Sequence, residues 1–355
     1  MNNNVNFDPK TFDPKSFDPT QVWGNDPLAM ESIAQGQREL QRNTIPLESL
    51  SPKYRNLNRQ FLAGCNIALL GDAQNGKTTS ARQLCARNKW AYEEVPCSTA
   101  TKKSDLVGKV VINSQGIPEF KLGPLGRCWT QGKCIILNEG MTMTADQTTP
   151  MLGYFDGTEV ISEGDVILHR HPMFRVIATG NPLYIGSKPQ NPAFMSRFGT
   201  KIRVGRWPES VFKMVALSKW PNIKPQFFAE ANTLCMAVEK YASDNGGIIS
   251  VGIREVTDLM DTLLLTDDVM DRTDFGDLVQ ATIVGGLADQ KISNELVDAF
   301  LQVDIQSARV DTMHSLYAQS VNPNAAPKPQ PQQATGLHGQ NAFDGFFSIY
   351  GNGGK

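Results

Sequence analysis

The chain has 355 residues, enough for two domains at about 100–200 residues each, and its 34 Lys and Arg against 36 Asp and Glu leave a net charge of -2. With 40% hydrophobic and 20% charged residues a substantial core can form, but there is no global basic field to hold a polyanion. No apolar run approaches the ~18 residues of a membrane-spanning helix, the start MNNNVNFDPK lacks the pattern of a signal peptide, and six cysteines without a CxxC pair read as reduced, buried thiols, so a cytoplasmic protein is expected.

Residues 1–27 carry a repeat, FDPKTFDPKSFDPT, in which Phe7-Asp8-Pro9, Phe12-Asp13-Pro14 and Phe17-Asp18-Pro19 recur every five residues. Proline in each unit rules out a continuous helix, and the composition predicts an unstructured leader. The sharper alternative makes the phenylalanines anchors for a neighbouring subunit or a partner.

Residues 28–207 read as an α/β domain. Strand-like apolar runs at 66–70, 91–96, 134–138, 174–179 and 201–204 alternate with helical stretches, the pattern of a five-stranded parallel sheet flanked by helices. Residues 208–319 turn helical, as in VTDLMDTLLL and LVQATIVGGLADQ, and are expected to form a helical lid. Residues 320–355 combine a Pro/Gln-rich linker with an aromatic tail holding Phe343, Phe346, Phe347 and Tyr350. That tail reads as a short docking peptide or as a terminus packed on its own domain.

The stretch LLGDAQNGKTTSARQL fits G-x-x-x-x-G-K-[ST] between the strand NIALL and a helix, the context this phosphate-binding motif requires. The loop runs from Gly71 through Asp72, Ala73, Gln74, Asn75, Gly76 and Lys77 to Thr78 and Thr79. Its glycines let backbone N–H groups turn inward around a β-phosphate, and the helix N-terminus adds its dipole. Lys77 is suited to the β- and γ-oxygens and the Thr78 hydroxyl to Mg²⁺, so ATP and Mg²⁺ are the expected cofactors.

A second strand, KCIILNEG, ends in Asn138-Glu139 where such hydrolases usually have Asp-Glu. Glu139 is placed to polarise a water; Asn138 can accept a hydrogen bond from a metal-bound water but brings no negative charge. A third strand, FRVIATGNP, ends in Asn181, whose amide suits a γ-phosphate or the attacking water. Arg197, in NPAFMSRFGTKIRV, stands before the next strand, suited to a phosphate held by a neighbouring subunit. Arg254 falls in the first turn of a later helix, in ISVGIREVTDLMD.

The order GDAQNGKTT, CIILNE, FRVIATGNP, MSRF, GIRE resembles an AAA+ ATPase of the MoxR and CobS type over roughly residues 57–265, and HPMFRVIATGN is especially close to the CobS-like branch. The resemblance implies an AAA+ P-loop core with a C-terminal helical lid. It makes Lys77 and Thr78 the Walker A pair, Glu139 the Walker B acid, Asn181 sensor 1, Arg197 the arginine finger and Arg254 sensor 2. Asn138 departs from the family pattern. The resemblance further implies a homo-oligomeric ring, usually a hexamer, that remodels a protein client; such clients often carry a von Willebrand A domain, and the CobS branch acts as a chaperone of metal insertion.

Two other readings compete. One is a nucleic-acid motor or nuclease-associated ATPase of the McrB-like kind, toward which only Lys102, Lys103 and Lys109 point. The other is a nucleotide-gated scaffold with slow turnover, which Asn138 leaves open. His169 and His171, two apart on an expected strand, would share a face and could bind metal, but two ligands without nearby Cys or carboxylates usually mean surface polar residues.

Overall fold

The computed structural model describes residues 7–42, 56–181, 191–208, 210–211, 225–247, 249–265 and 272–301. The chain divides into two compact units, 1–207 and 208–355.

Five short strands build the sheet of the first unit: β1 (Ile67–Leu70), β2 (Tyr92–Pro96), β5 (Cys134–Asn138), β8 (Arg175–Gly180) and β9 (Thr200–Arg203), in the order β2-β5-β8-β1-β9. All four pairings are parallel. The five apolar runs expected as strands are these five. Parallel strands buried on both faces read as nearly continuous apolar runs, and IALL and CIIL are of that kind. The remaining strands form two antiparallel hairpins, β3 (Gly108–Ile112) with β4 (Pro118–Leu122) and β6 (Val160–Glu163) with β7 (Val166–His169). Both expose apolar side chains, among them Ile112 and Ile167.

The helices of this unit are α1 (Thr20–Trp23), α2 (Pro27–Arg42), α3 (Leu57–Leu62), α4 (Lys77–Arg87), α5 (Lys103–Leu106), α6 (Pro124–Gln131), α7 (Ala145–Thr148) and α8 (Pro192–Ser196). The core packs Ile135, Leu137, Val176 and Ala178 of the central strands against Trp129, Phe174 and Phe198. Helix α2 is held to this body by Lys133, 1% exposed, whose ammonium meets Asp26 at 2.6 Å and Glu93 at 3.2 Å.

From Phe7 onward the leader differs from the unstructured segment its composition predicts. Each repeat folds the same local turn, in which an aspartate accepts the N–H two residues on: Lys10 to Asp8 at 2.9 Å, Lys15 to Asp13 at 3.0 Å, Thr20 to Asp18 at 3.0 Å. Such turns aim the three phenylalanines one way. Phe7 and Phe12 meet the buried Trp90 with ring centroids 5.4 and 5.6 Å apart, Phe12 meets Phe17 at 5.1 Å, and Phe17 meets Trp23 at 6.0 Å. The Arg175 guanidinium completes the stack, 4.8 Å from the Trp90 ring centre and 5.0 Å from that of Phe7. Proline excluded a helix; it did not exclude order, because Trp90 supplies the apolar surface that the leader cannot bury alone.

The second unit is helical: α9 (Pro225–Asp244), α10 (Ile253–Leu265), α11 (Arg272–Val279) and α12 (Gln290–Leu301), with a π turn at Gln280–Val284. Phe227, Phe275 and Phe300 pack within it, the last two with centroids 6.2 Å apart. The Pro/Gln linker and the aromatic tail lie outside the described residues. Among the described residues no helix is long and apolar enough to cross a membrane.

Candidate nucleotide-binding site

The phosphate loop leaves β1 at its carboxyl end, between β8 and β9, and enters α4 at Lys77. In open parallel sheets this end of the strands is where ligands bind. Two glycines are required there. A Cβ on Gly71 would lie 2.1 Å from the Val204 carbonyl oxygen, and Gly76 has a φ of 75°, with Trp207 only 2.8 Å from where its Cβ would be. The loop is pinned on that side: Trp207 Nε1 donates to the Asn75 carbonyl at 3.0 Å, and Asn75 Nδ2 donates to the Val204 carbonyl at 3.3 Å. Asp72 and Ala73 are exposed at the loop's outer turn, while Gln74 adopts a φ of 64°. Thr78 and Thr79 follow Lys77 in the first turn of α4, where free N–H groups and the helix dipole favour an anion.

Lys77 is 6% exposed, and its ammonium donates to the Asp72 carbonyl at 2.6 Å. Burial pushes its pKa down, against the pull of Glu139 and Asp72. A buried lysine whose pKa its surroundings perturb is a candidate for binding an anion.

Beside the loop, the Thr78 hydroxyl donates to Asn138 Oδ1 at 2.9 Å, and the Thr179 hydroxyl lies 3.4 Å from the same oxygen. Thr78 and Asn138 thus meet across the α4–β5 gap. Glu139 follows with φ 53°, a left-handed conformation costly for a residue with a side chain. It is held there by its N–H donating to Thr179 Oγ1 at 3.1 Å and its carbonyl accepting from the Thr142 hydroxyl at 2.7 Å. Its charge acts on Lys77 on one side; on the other, burial first and this carboxylate second push the Cys97 thiol up to about 12.

Asn181 directly follows β8, the strand between β5 and β1, so it stands at the same end of the sheet between the phosphate loop and Glu139. Arg197 lies elsewhere. It caps α8, and its carbonyl accepts from Asn66 Nδ2 at 2.9 Å, next to the amino end of β1. It is not brought to its own phosphate loop. Arg254 is exposed in the first turn of α10, in the second unit.

The histidine pair does not share a face. Strand β7 ends at His169, which is exposed, while His171 is buried with Nδ1 accepting from the Met173 N–H at 3.1 Å; burial and then Arg175 lower its pKa. Among the described residues no group of three or more His, Cys, Asp and Glu could hold a metal ion. Of the lysines considered for nucleic acid, Lys103 is paired with Glu163 at 2.8 Å.

Sequence reasoning missed Glu94, on β2. Asn138 Nδ2 donates to Glu94 Oε1, and the Glu94 carboxylate takes both Arg82 Nε at 2.5 Å and Nη2 at 2.8 Å. The signal was visible: Glu93-Glu94 interrupts an otherwise apolar strand, and a carboxylate there must be partnered.

The oxygens at this strand end suit a hard divalent cation accompanying a triphosphate. The Thr78 hydroxyl is the candidate ligand and Asn138 Oδ1 the acceptor behind it, while the glycine cradle leaves room for phosphate where side chains would clash.

Residues 66–198, from just before β1 to just after α8, match the AAA domain of the dynein-related subfamily. The chain is similar to a Staphylococcus epidermidis protein described as uncharacterized, 28% identical over 272 residues, 72% of this chain and 97% of that one. It is also similar to the uncharacterized protein YojN of Bacillus subtilis, 32% identical over 142 residues, 38% of this chain and 46% of the relative. Among solved structures it is similar to a Cytophaga hutchinsonii protein described as a candidate ATPase, at 16% identity and a TM-score of 0.41, covering 79% of this chain and 98% of that one. The first unit has the AAA+ P-loop fold.

Proposed function

We propose that this chain is a Mg²⁺-dependent ATPase that works as a homo-oligomeric ring and spends the hydrolysis cycle on a protein client, in the manner of the MoxR and CobS-like AAA+ proteins. The observation that carries it is the gathering of Lys77, Thr78, Asn138, Glu139 and Asn181 at one end of a parallel sheet while Arg197 sits near the other. A site completed by the neighbour's arginine is a reason to form a ring.

In this reading the N–H groups of the loop from Gly71 to Thr78 hold the β-phosphate and Lys77 bridges β- and γ-oxygens. Thr78 would ligate Mg²⁺, which when bound neutralises charge on the phosphate oxygens. Glu139 orients a water for in-line attack and takes its proton as the bond from the γ-phosphorus to the β,γ-bridging oxygen breaks. Asn181 stands where it can hydrogen-bond that water or the γ-phosphate.

The test is a turnover assay with a trap. The parent should release phosphate from ATP only with Mg²⁺, and Glu139→Gln should retain nucleotide affinity while turnover falls by roughly 10²–10⁴, the usual worth of a general base. Equal turnover in the two proteins would remove Glu139 from the role.

A further inference from the structure

We propose that Glu94 is the positioning residue of the nucleotide site, orienting the Asn138 amide toward Thr78 and returning to this strand end the negative charge that Asn138 lacks. The inference rests on the ATPase reading above and deepens it.

The geometry is a closed circuit. Strands β2 and β5 run parallel in register, Glu94 opposite Ile136 and Pro96 opposite Asn138, which brings the Glu94 carboxylate to the Asn138 amide. The two ends of an amide are nearly the same shape but opposite in hydrogen bonding, so the neighbours decide which faces where. An acceptor-only carboxylate claims the Nδ2 end. Oδ1 is thereby turned to the Thr78 hydroxyl at 2.9 Å. From Glu94 the circuit continues through the fork of Arg82, which stands four residues after Thr78 and so on the same face of α4. Helix, strand end and neighbouring strand are locked together by four side chains.

The charge balance supports the assignment. Arg82 also faces Glu39 of α2 at 3.9 Å, so one guanidinium serves two carboxylates and leaves Glu94 only partly neutralised. Burial and the Glu94 charge raise the pKa of Glu39, while Arg82 opposes them. Here the charge usually found at the end of this strand stands one strand over and reaches the metal side through an amide.

Transposing the two groups tests the idea. Asn138→Asp alone puts two carboxylates in contact; Glu94→Gln alone removes the charge; Asn138→Asp with Glu94→Gln restores one carboxylate and one amide in exchanged places. The readouts are the Mg²⁺ concentration for half-maximal tightening of fluorescent ATP-analogue binding and that for half-maximal turnover, with melting temperature alongside. Glu94→Gln, which removes a group orienting the metal side, should raise the Mg²⁺ requirement by about tenfold or more; Asn138→Asp, whose carboxylate Glu94 repels from the Thr78 hydroxyl, should raise it as well; and the double variant should return to within about threefold of the parent, a coupling no pair of independent sites gives.

Single variants with the parent's Mg²⁺ requirement, or a double variant whose losses simply add, would overturn the role of Glu94 while leaving the ATPase reading intact. A parent that shows no Mg²⁺-dependent nucleotide binding would overturn both. Should Glu94→Gln fail to fold, Asn138→Asp against the double variant makes the same comparison.

Discussion

The Asn66 amide donates to the Arg197 carbonyl at 2.9 Å, tying Arg197 to the amino end of the strand whose carboxyl end opens the phosphate loop. At about 3.3 Å per residue, the strand between them spans roughly 13 Å. The proposed ring has Arg197 serve a neighbour's nucleotide, and complementation tests it. Lys77→Ala subunits keep Arg197 but lose nucleotide; Arg197→Ala subunits keep nucleotide but lose the arginine. Each alone should fall by on the order of 10³ in turnover, and an equal mixture should recover activity at about a quarter of the interfaces of a randomly assembled ring. A mixture no better than its components would argue against action between subunits.

Lys77 is predicted to cost the fold something. Burial lowers its pKa, so the native state holds the proton less well than the unfolded chain, and the charged form is destabilising below the lowered value. Stability from this group rises with pH between that lowered value and the ordinary 10.5, and is flat below it. Lys77→Met should melt at the parent's temperature or above it at neutral pH while losing nucleotide affinity by tenfold or more, roughly the worth of one strong charge-assisted contact. A clear fall in melting temperature would make Lys77 structural.

The clamp on α2 gives a pH-dependent prediction. Burial works against ionisation of Asp26, but hydrogen bonds from Lys133 and from the Ala29 and Leu28 amides outweigh it and hold the carboxyl below its ordinary value of 3.8. Its contribution is complete above that ordinary value and is lost as pH falls through the lowered one. Asp26→Asn should cost about 1.5–3 kcal/mol at pH 7, the range for hydrogen bonds to charged groups, and the gap from the parent should close only as the medium is acidified below pH 4 or so. Urea denaturation at pH 7, 5 and 3.5 measures it; a gap that narrows between pH 7 and 5 would assign the effect to another group.

The leader should stabilise without touching the chemistry. Phe12→Ala removes ring contacts with Trp90, Phe7 and Phe17 and should cost about 1 kcal/mol; Trp90→Ala, in a fully buried position, should cost about 3–5 kcal/mol. Nucleotide affinity of Phe12→Ala should equal the parent's. If Phe12→Ala denatures as the parent does, the repeats do not hold to Trp90 in solution.

Much of the site was legible because its parts are local. Gly71 to Thr78 lie within one strand-loop-helix, and the spacing of glycines, lysine and hydroxyl is itself the cradle. Asn138, Glu139 and Asn181 were found because each ends an apolar run, and apolar runs of that length are buried parallel strands. Glu94 escaped for the opposite reason. Its meaning depends on β2 lying beside β5, a pairing between residues some forty positions apart that no local pattern encodes. The expectation that His169 and His171 share a face fails at one strand end: β7 stops at His169, so the alternation that would align His171 with it is broken.

The sequence by itself determined the fold class, the phosphate loop and the strand ends that face it, because backbone geometry and apolar periodicity act over a few residues. Only the tertiary structure decided the rest. Parallel pairing set Glu94 against the Asn138 amide and so settled which end of that amide meets Thr78. The hydrogen bond from Asn66 placed Arg197 away from its own nucleotide loop. Trp90 turned a proline-rich repeat into a packed stack. In each case the partner lies dozens of residues or more away, and the free energy comes from burying or pairing groups that the local chain could only leave in water.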